Sequence, residues 1–196
     1  FGPVTPQVEA ELDGLVDYAK TIYSRELGSR GNSEVTKRIH NLGTGNSCFK
    51  RKTCFDGAGT TFNEVFNNTG GEDIDLLRRL RAKGKRFVWA STAAVSAFVQ
   101  ASRLSSKYLS SRRFKQGQPR SYLQISSVPR RYDMLIFWMA IGVLQTLFYS
   151  AARLTSLMTG AKSSAETYGI KTWGGLGKIL WQERFRKQHY GTPARG

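Results

Sequence analysis

The segment Thr69-Gly-Gly-Glu-Asp-Ile-Asp-Leu-Leu-Arg-Arg-Leu-Arg-Ala-Lys-Gly84, followed at once by Lys-Arg-Phe-Val-Trp-Ala90, decides the fold prediction. Apolar residues recur in it at helical spacing, at Ile74, Leu77 and Leu80, and Leu76 widens the apolar stripe. This spacing predicts an amphipathic helix that begins near Glu72. Gly84 follows the last periodic residue, where glycine commonly ends a helix. The apolar run after it, residues 86–90, predicts a buried strand.

Two carboxylates, Glu72 and Asp73, stand at the start of the predicted helix. Acids at this position face the positive end of the helix dipole and remain ionised. A carboxylate held in this way can act as a general base or bind a cation. The alternative, which local chemistry favours, is a pair of ordinary first-turn acids that stabilise the helix. Asp73-Ile-Asp75 is not read as a metal motif, because residues two apart on a helix point about 200° apart.

The net charge of the 196-residue chain is +16, and the excess of Lys and Arg lies from Arg78 onward. Such a charge attracts nucleic acid, anionic lipid or phosphate-bearing substrates. No nucleic-acid-binding signature accompanies it, so nucleic acid is not the expected partner. The spacing of Cys48 and Cys54 matches neither a redox nor a zinc motif, which favours free thiols in a reducing compartment. With two histidines in the chain, a histidine-based metal site is not expected.

A glycine-bracketed turn is predicted at Asn41-Leu-Gly-Thr-Gly-Asn-Ser-Cys-Phe49. Gly43 and Gly45 allow the backbone to approach another group closely, and Asn46 offers both a donor and an acceptor. A ligand contact and a bulge at a strand end are equally compatible with this pattern. Neither GxGxxG nor GxxxxGK fits around these glycines, so a phosphate-cradling loop is not predicted.

Residues 105–118 predict a helix that ends in the basic residues Arg112, Arg113 and Lys115, with Gly117 as its terminator. Arginine offers paired planar donors that suit phosphate oxygens. The alternatives are a solvated basic helix end or a patch that faces lipid.

Residues 134–152 carry no charge and approach the ~20 residues that a helix needs to span a bilayer. Trp138 and Tyr149 are suited to the membrane interface. Basic residues flank the segment on both sides, and a single span would place one basic flank outside the cell. We therefore predict an in-plane or re-entrant helix, or a hairpin bent around Gly142, with both flanks cytoplasmic. Residues 159–168 predict a loop, and residues 172–190 predict a basic amphipathic helix on an anionic membrane surface.

Weaker local patterns complete the prediction. An amphipathic helix is expected within residues 8–27, and a strand or short helix at 91–99. A strand that ends near Pro6 is expected, because proline cannot donate to a strand ladder. Phe62, Val65 and Phe66 are expected to pack under the helix that begins near Glu72.

The order Gly70-Gly-Glu-Asp-Ile-Asp-Leu76, a basic helix, a strand, and Tyr108-Leu-Ser-Ser-Arg-Arg-Phe-Lys-Gln-Gly117 resembles bacterial family 2 glycosyltransferases. Three further segments fit the same pattern in the same order: Gly43-Thr-Gly-Asn46, Phe62-Asn-Glu-Val-Phe66 and residues 93–103. The resemblance covers residues 1–118 and points to the branch that builds exopolysaccharide and other surface glycans. Relatives carry an acid or histidine near Ala97 and a proline near Gln100, and both are absent here.

The resemblance implies an α/β fold: the acceptor-side half of a GT-A (Rossmann-like) glycosyltransferase domain, followed by membrane-associated helices. We accordingly predict three segments. Residues 1–128 form the C-terminal portion of the GT-A domain, residues 129–158 a hydrophobic membrane helix or re-entrant hairpin, and residues 159–196 a basic amphipathic interfacial helix and tail.

The implied activity is an inverting transfer of a sugar from a nucleotide-sugar donor to a hydroxyl of a lipid-linked or polysaccharide acceptor. The resemblance implies Asp73 as the base and Glu72 as the group that orients the acceptor or the base, and the two roles are interchangeable. Arg113 is placed at the donor diphosphate. The implied substrate-binding residues are Gly43, Thr44, Gly45, Asn46, Gly70, Gly71, Arg112, Arg113 and Gly117.

A divalent cation, Mg²⁺ or Mn²⁺, is implied as cofactor, with its main ligands upstream of Phe1 and none within this chain. The donor-binding half is likewise expected upstream, so the chain alone is expected to be inactive. The implied partners are a nucleotide-sugar donor, a lipid-linked glycan acceptor, anionic membrane lipids and other membrane subunits, at the cytoplasmic face of a bacterial inner membrane. The alternative is a non-catalytic basic membrane adaptor, or a subunit derived from a transferase half.

Overall fold

A computed structural model describes residues 1–8, 15–28, 31–55, 61–66, 70–126 and 129–185 of the chain. In chain order, the strands and helices are β1 (Val4–Val8), α1 (Leu15–Tyr23), β2 (Asn32–Glu34), α2 (Arg51–Cys54), α3 (Glu72–Ala82), β3 (Val88–Ala90), β4 (Val95–Val99), α4 (Ser106–Ser126), α5 (Tyr132–Met158) and α6 (Lys162–Ile179). Single 3₁₀ segments lie at Thr36–Asn41, Thr44–Asn46, Glu64–Phe66, Ala101–Arg103 and Glu183–Phe185.

The described chain is mostly helical, and its strands form two separate two-stranded sheets. β1 pairs with β4 in parallel, from Val4 opposite Val95 to Val8 opposite Val99. β2 pairs with β3 in the antiparallel sense. The described residues therefore do not clearly show the expected α/β Rossmann-like fold, because their strands pair two by two instead of extending one parallel sheet.

Contacts divide the chain into two compact units, which are described separately. The first, here called the sheet unit, comprises Phe1–Val8, Lys20–Asn67 and Gly71–Val99. The second, here called the helical unit, comprises Glu9–Ala19, Asn68–Gly70 and Gln100–Gly196. This division differs from the three segments predicted from sequence, which remain a prediction about function and membrane contact.

The core of the sheet unit is built on α3. Its buried residues are Val35, Ile39, Leu42, Leu76, Leu77, Leu80, Phe87 and Trp89. α3 begins after Gly71, whose φ of 104° is in the left-handed region, and the chain turns away at Gly84, with φ 74°. The N–H of Lys85 donates to the carbonyl of Leu80 at 3.0 Å, which satisfies a carbonyl at the helix end. The helix and the terminator predicted from the sequence are thus confirmed.

Other local predictions for the sheet unit were wrong or only partly right. The strand does not end near Pro6, because β1 continues through it to Val8. β1 pairs with one neighbour within its sheet, and an edge strand tolerates a residue that lacks an N–H. Of the three residues expected under α3, Phe66 is buried, whereas Phe62 and Val65 are exposed. Residues 95–99 do form a strand, as one of the two alternatives predicted.

The helical unit consists mainly of α4, α5 and α6, with α6 packed against both of the others. Glycines allow these backbones to approach closely. A Cβ at Gly117 of α4 would lie 2.5 Å from the carbonyl oxygen of Gly174, and one at Gly142 of α5 would lie 2.9 Å from that of Gly175. Small residues are typical of such close helix contacts.

Three predictions about this region are corrected by the helix bounds. Gly117 does not terminate α4, which continues through Pro119 to Ser126. The residues expected as a loop at 159–168 largely belong to α6, which begins at Lys162 and buries Ala165 and Ile170. α5 is continuous through Gly142, so this segment is a single helix and not a hairpin. The predicted interfacial helix at 172–190 overlaps the second half of α6, and residues 186–190 lie outside the described residues.

Side chains of α4 explain why it persists past its glycine and proline. Gln118 Nε2 donates to the carbonyls of Leu180 at 2.9 Å and Phe185 at 3.1 Å. Ser121 Oγ donates to the carbonyl of Lys178 at 2.7 Å. These bonds satisfy carbonyls at the end of α6 and in the 3₁₀ segment that follows it, and they hold α4 in place where local sequence favours a break.

Candidate functional sites

The sheet unit brings together two of the predicted segments, the turn at residues 43–46 and the start of α3. Asp73 Oδ2 accepts a hydrogen bond from the backbone N–H of Thr44 at 3.0 Å, and Oδ1 accepts one from Thr44 Oγ1 at 2.6 Å. These residues are 29 positions apart in sequence. The two bonds fix the plane of the Asp73 carboxylate, and each oxygen keeps a second lone pair for another donor.

Arg25 completes this cluster. Its Nη1 donates to the carbonyl of Gly43 at 2.9 Å. Burial lowers the pKa of Arg25, and the charge of Asp73 opposes that shift. A Cβ at Gly43 would lie 2.8 Å from Arg25 Nη2 and 3.3 Å from Asp73 Oδ2, so a larger residue there would displace the Arg25 guanidinium. The local sequence around Arg25 does not distinguish it from the other cations of the chain.

Asn46 and Gly45 differ in how much they offer to a ligand. Asn46 Nδ2 donates to the carbonyls of Pro3 at 2.9 Å and Ala93 at 2.7 Å, which ties the turn to the segments before β1 and β4. Both donor hydrogens of that amide are thus used within the protein. Gly45 is exposed, and a Cβ built on it would meet no atom within 4 Å.

Glu72 differs from Asp73 in its surroundings. Its Oε2 is buried and has no hydrogen-bond partner among the described residues. A buried carboxylate oxygen without a donor is costly, so Oε2 is an unsatisfied acceptor at the start of α3. Gly70 and Gly71, which precede it, both have positive φ, 74° and 104°, and set the direction from which α3 begins.

Asp75 points elsewhere, as expected for a residue two positions from Asp73. Its Oδ2 accepts from Arg79 Nε at 2.9 Å in an i,i+4 ion pair along α3. Within the described ranges, no group of three or more His, Cys, Asp or Glu side chains is arranged to hold a metal ion. Cys48 and Cys54 are free thiols.

The basic residues predicted for a donor diphosphate lie on α4 in the helical unit. Arg113 Nε donates to the hydroxyl of Tyr18 at 2.8 Å, and its guanidinium lies over the Tyr18 ring at 5.4 Å. Burial raises the pKa of Tyr18. Arg112 is half-buried. Gly117 packs against α6, which accounts for its small size without a ligand.

α5 presents an unusual surface. Among the described residues, it is the one helix long and apolar enough to cross a membrane. Its exposed large apolar residues are Tyr132, Ile136, Phe137, Val143, Leu144, Leu147, Phe148, Leu154, Leu157 and Met158. At 100° per residue these positions cover about half of the helix circumference. We call this surface the apolar face of α5.

The opposite side of α5 carries small and polar residues toward the other helices. Gly142 and Ser156 are buried, and Gln145 Nε2 donates to the carbonyl of Lys171 in α6 at 3.2 Å. A soluble helix has the reverse arrangement, with its apolar stripe inward. Large exposed apolar surfaces mark contact with a membrane or another protein.

The sequence of α6 contains a further signal for close packing. Gly174-Gly-Leu-Gly177 is a small-residue pattern of the kind that brings helices close together. A Cβ at Gly177 would overlap the carbonyl oxygen of Phe114 in α4.

No protein-family model, curated protein or solved structure matches this chain.

Proposed function

We propose that this chain is part of a membrane-associated inverting glycosyltransferase, in which the carboxylates at the start of α3 form the acceptor end of the catalytic site. The observation that supports it is the pairing of Asp73 with Thr44. The turn at residues 43–46, to which the sequence resemblance assigns an acceptor-side or donor-sugar contact, and the start of α3 are far apart in the chain and meet at one carboxylate. In many catalytic sites, a hydrogen bond from another side chain orients the base.

In this proposal Asp73 accepts the proton of the acceptor hydroxyl. The hydroxyl oxygen then forms a bond to the anomeric carbon of the donor sugar while the bond to the nucleoside diphosphate breaks, with inversion. Thr44 is a positioning residue, because it holds the carboxylate plane and leaves one lone pair on each oxygen free. Glu72, the neighbouring carboxylate at the start of α3, orients the acceptor or the base, and its Oε2 has no hydrogen-bond donor among the described residues.

The resemblance also implies Mg²⁺ or Mn²⁺ at the donor diphosphate. The described residues form no suitable ligand group, so no step of the mechanism is routed through a metal here.

The membrane part of the proposal rests on the apolar face of α5. In water this face would expose ten large apolar side chains, whereas contact with lipid would remove their apolar surface from water, which is favourable. Arg130 and Arg131 precede α5, and Lys162 begins α6, so both ends are basic. We propose that α5 lies in the cytoplasmic leaflet of a bacterial inner membrane with both ends on the cytoplasmic side.

The test uses membranes that contain the full-length protein, supplied with labelled nucleotide-sugars. We expect release of nucleoside diphosphate and labelled sugar in a lipid or polysaccharide fraction. Asp73→Asn should abolish transfer and leave nucleotide-sugar binding nearly intact. Asp75→Asn is the matched control. Asp75 lies in the same turn of α3, and its side chain pairs with Arg79 along the helix, so this variant should retain activity.

Wild-type turnover in the Asp73→Asn variant would refute the base assignment. If the full-length protein shows neither nucleotide-sugar binding nor transfer, and instead co-purifies with other membrane subunits, the adaptor function replaces the enzymatic one. The exposed apolar face of α5 and the basic helical unit suit that second function equally well.

A further inference from the structure

Three cations on α4 and α6 lie close together within the helical unit. Lys178 Nζ donates to Gln145 Oε1 of α5 at 2.5 Å and to the carbonyl of Gly174 at 3.1 Å. The Arg120 guanidinium lies over the Trp138 ring of α5, 5.4 Å from its centroid. Arg113 lies two helical turns before Arg120, on the same side of α4. We call Arg113, Arg120 and Lys178 the cation cluster.

All three side chains are half-buried, which removes part of their hydration. Burial lowers the pKa of Arg120. Burial, followed by the charges of Arg120 and Arg113, lowers the pKa of Lys178 to about 8. The charges are thus close enough to repel one another, and desolvation makes that repulsion stronger.

No carboxylate of the described residues forms an ion pair with a member of the cation cluster. The described ion pairs join Arg79 to Asp75 and Arg131 to Asp133. The partners that the cluster does have are neutral: an amide oxygen, a backbone carbonyl, a tyrosine hydroxyl and two aromatic rings. Half-buried charges of one sign are unfavourable unless an opposite charge completes them.

Lys171, two helical turns before Lys178 on α6, has its charge compensated by aromatic rings. Lys171 Nζ lies between 5.4 and 5.5 Å from the centroids of three rings, Tyr18, Tyr149 and Tyr168. Three ring faces offer an ammonium group extensive cation–π stabilisation. Among the described residues, Lys178 has no ring contact of this kind. The charge of Lys178 is therefore less compensated than that of Lys171.

We propose that the cation cluster is a binding site for the phosphate group of an anionic ligand, and that the ligand is a membrane phospholipid. Two arginine forks and one ammonium supply the donors that phosphate oxygens take. Arg120 and Lys178 both contact α5, the helix that carries the apolar face, so the cluster lies beside the element that we propose to lie in lipid. This site stands on the helical unit alone and does not depend on the proposed glycosyltransferase activity.

The experiment measures the thermal unfolding midpoint, Tm, of the purified full-length protein in neutral detergent micelles. The micelles contain phosphatidylglycerol, the same amount of phosphatidylcholine, or phosphatidylcholine with inorganic phosphate in solution. Phosphatidylglycerol should raise Tm relative to phosphatidylcholine, by roughly 3–5 °C for each tenfold excess of lipid over Kd. The increase should shrink as pH rises from 7 to 9, because Lys178 loses its proton near pH 8 while Arg113 and Arg120 stay charged and Gln145 is neutral.

Lys178→Met removes one charge from the cation cluster, and Lys162→Met removes one from the exposed start of α6. Lys178→Met should lose the response to phosphatidylglycerol while its Tm in phosphatidylcholine stays level or rises, since repulsion is relieved. Lys162→Met should keep the response. This opposite behaviour separates a binding site from a purely structural lysine, whose removal would lower Tm in every micelle.

A phosphatidylglycerol response that survives in Lys178→Met, or that both variants lose equally, would overturn the site, because the effect would then come from the overall charge. A Tm increase in inorganic phosphate that Lys178→Met abolishes, with no further effect of phosphatidylglycerol, would support the phosphate site and assign its ligand to the soluble phase.

Discussion

Thr44 donates two hydrogen bonds to Asp73, one from its hydroxyl to Oδ1 at 2.6 Å and one from its backbone N–H to Oδ2 at 3.0 Å. A single residue thereby holds both oxygens of a carboxylate in the first turn of α3. The backbone bond survives substitution of the side chain, whereas the hydroxyl bond does not. The pair therefore allows the contribution of the hydroxyl to be measured separately.

Thr44→Val should lose the hydroxyl bond and keep the shape of the side chain. Because the bond is to a charged acceptor, we expect the free energy of unfolding to fall by about 1.5–3 kcal/mol. If Thr44 positions the base, kcat for sugar transfer should fall more than KM changes. Thr44→Ser keeps the hydroxyl and should restore both quantities. Denaturant unfolding and steady-state kinetics provide the measurements, and a Thr44→Val enzyme with unchanged kcat would contradict the positioning role.

Glu72→Gln tests the meaning of a buried oxygen that lacks a donor. An amide at this position buries less charge, so the free energy of unfolding should stay the same or increase. If Glu72 orients the acceptor as proposed, acceptor binding should weaken at the same time, which would raise the KM for the acceptor. A loss of stability with unchanged KM would instead indicate that Glu72 is an ordinary first-turn acid that stabilises α3 through the helix dipole.

Gly177→Ala tests the close packing of α6 on α4. Its Cβ would overlap the carbonyl oxygen of Phe114, a backbone atom that cannot move without the helix, so the helical unit should be clearly destabilised. Gly169→Ala is the matched control in the same helix, because its Cβ would meet only the Arg153 side chain at 3.4 Å or more. Alanine at 169 should be neutral or stabilising, by up to about 1 kcal/mol from helix propensity. Equal Tm values for the two variants would argue against the packing described.

The orientation of α5 can be determined by placing single cysteines at its two ends, Arg130→Cys and Lys162→Cys, with Cys48 and Cys54 replaced by serine. If α5 lies in the cytoplasmic leaflet, a membrane-impermeant maleimide should label both positions in inside-out vesicles and neither in intact spheroplasts. The basic residues at both ends are the reason for this expectation. Labelling of one end from outside would show that α5 spans the membrane.

Much of the local structure was predictable because its cause is local. The apolar spacing of α3, the left-handed glycine that follows it, and the charge-free stretch of α5 all act within a few residues. The predictions that were wrong lie where tertiary contacts outweigh local preference. Gly117 and Pro119 are typical of a helix end, but bonds from Gln118 and Ser121 to the carbonyls at the end of α6 keep α4 helical.

The sequence by itself determined where α3 begins and ends, that Leu76, Leu77 and Leu80 belong to its apolar stripe, and that one long apolar helix lies between two basic flanks. Only the tertiary structure decided that Asp73 is held by Thr44, while the neighbouring Glu72 keeps an unpaired oxygen. It alone placed Arg120 and Lys178, 58 positions apart in the numbering, beside the same helix. The physical reason is one of range: helix propensity, turns and amphipathic periodicity act over a few residues, whereas the partner of a charged group is chosen by the packing of the whole unit.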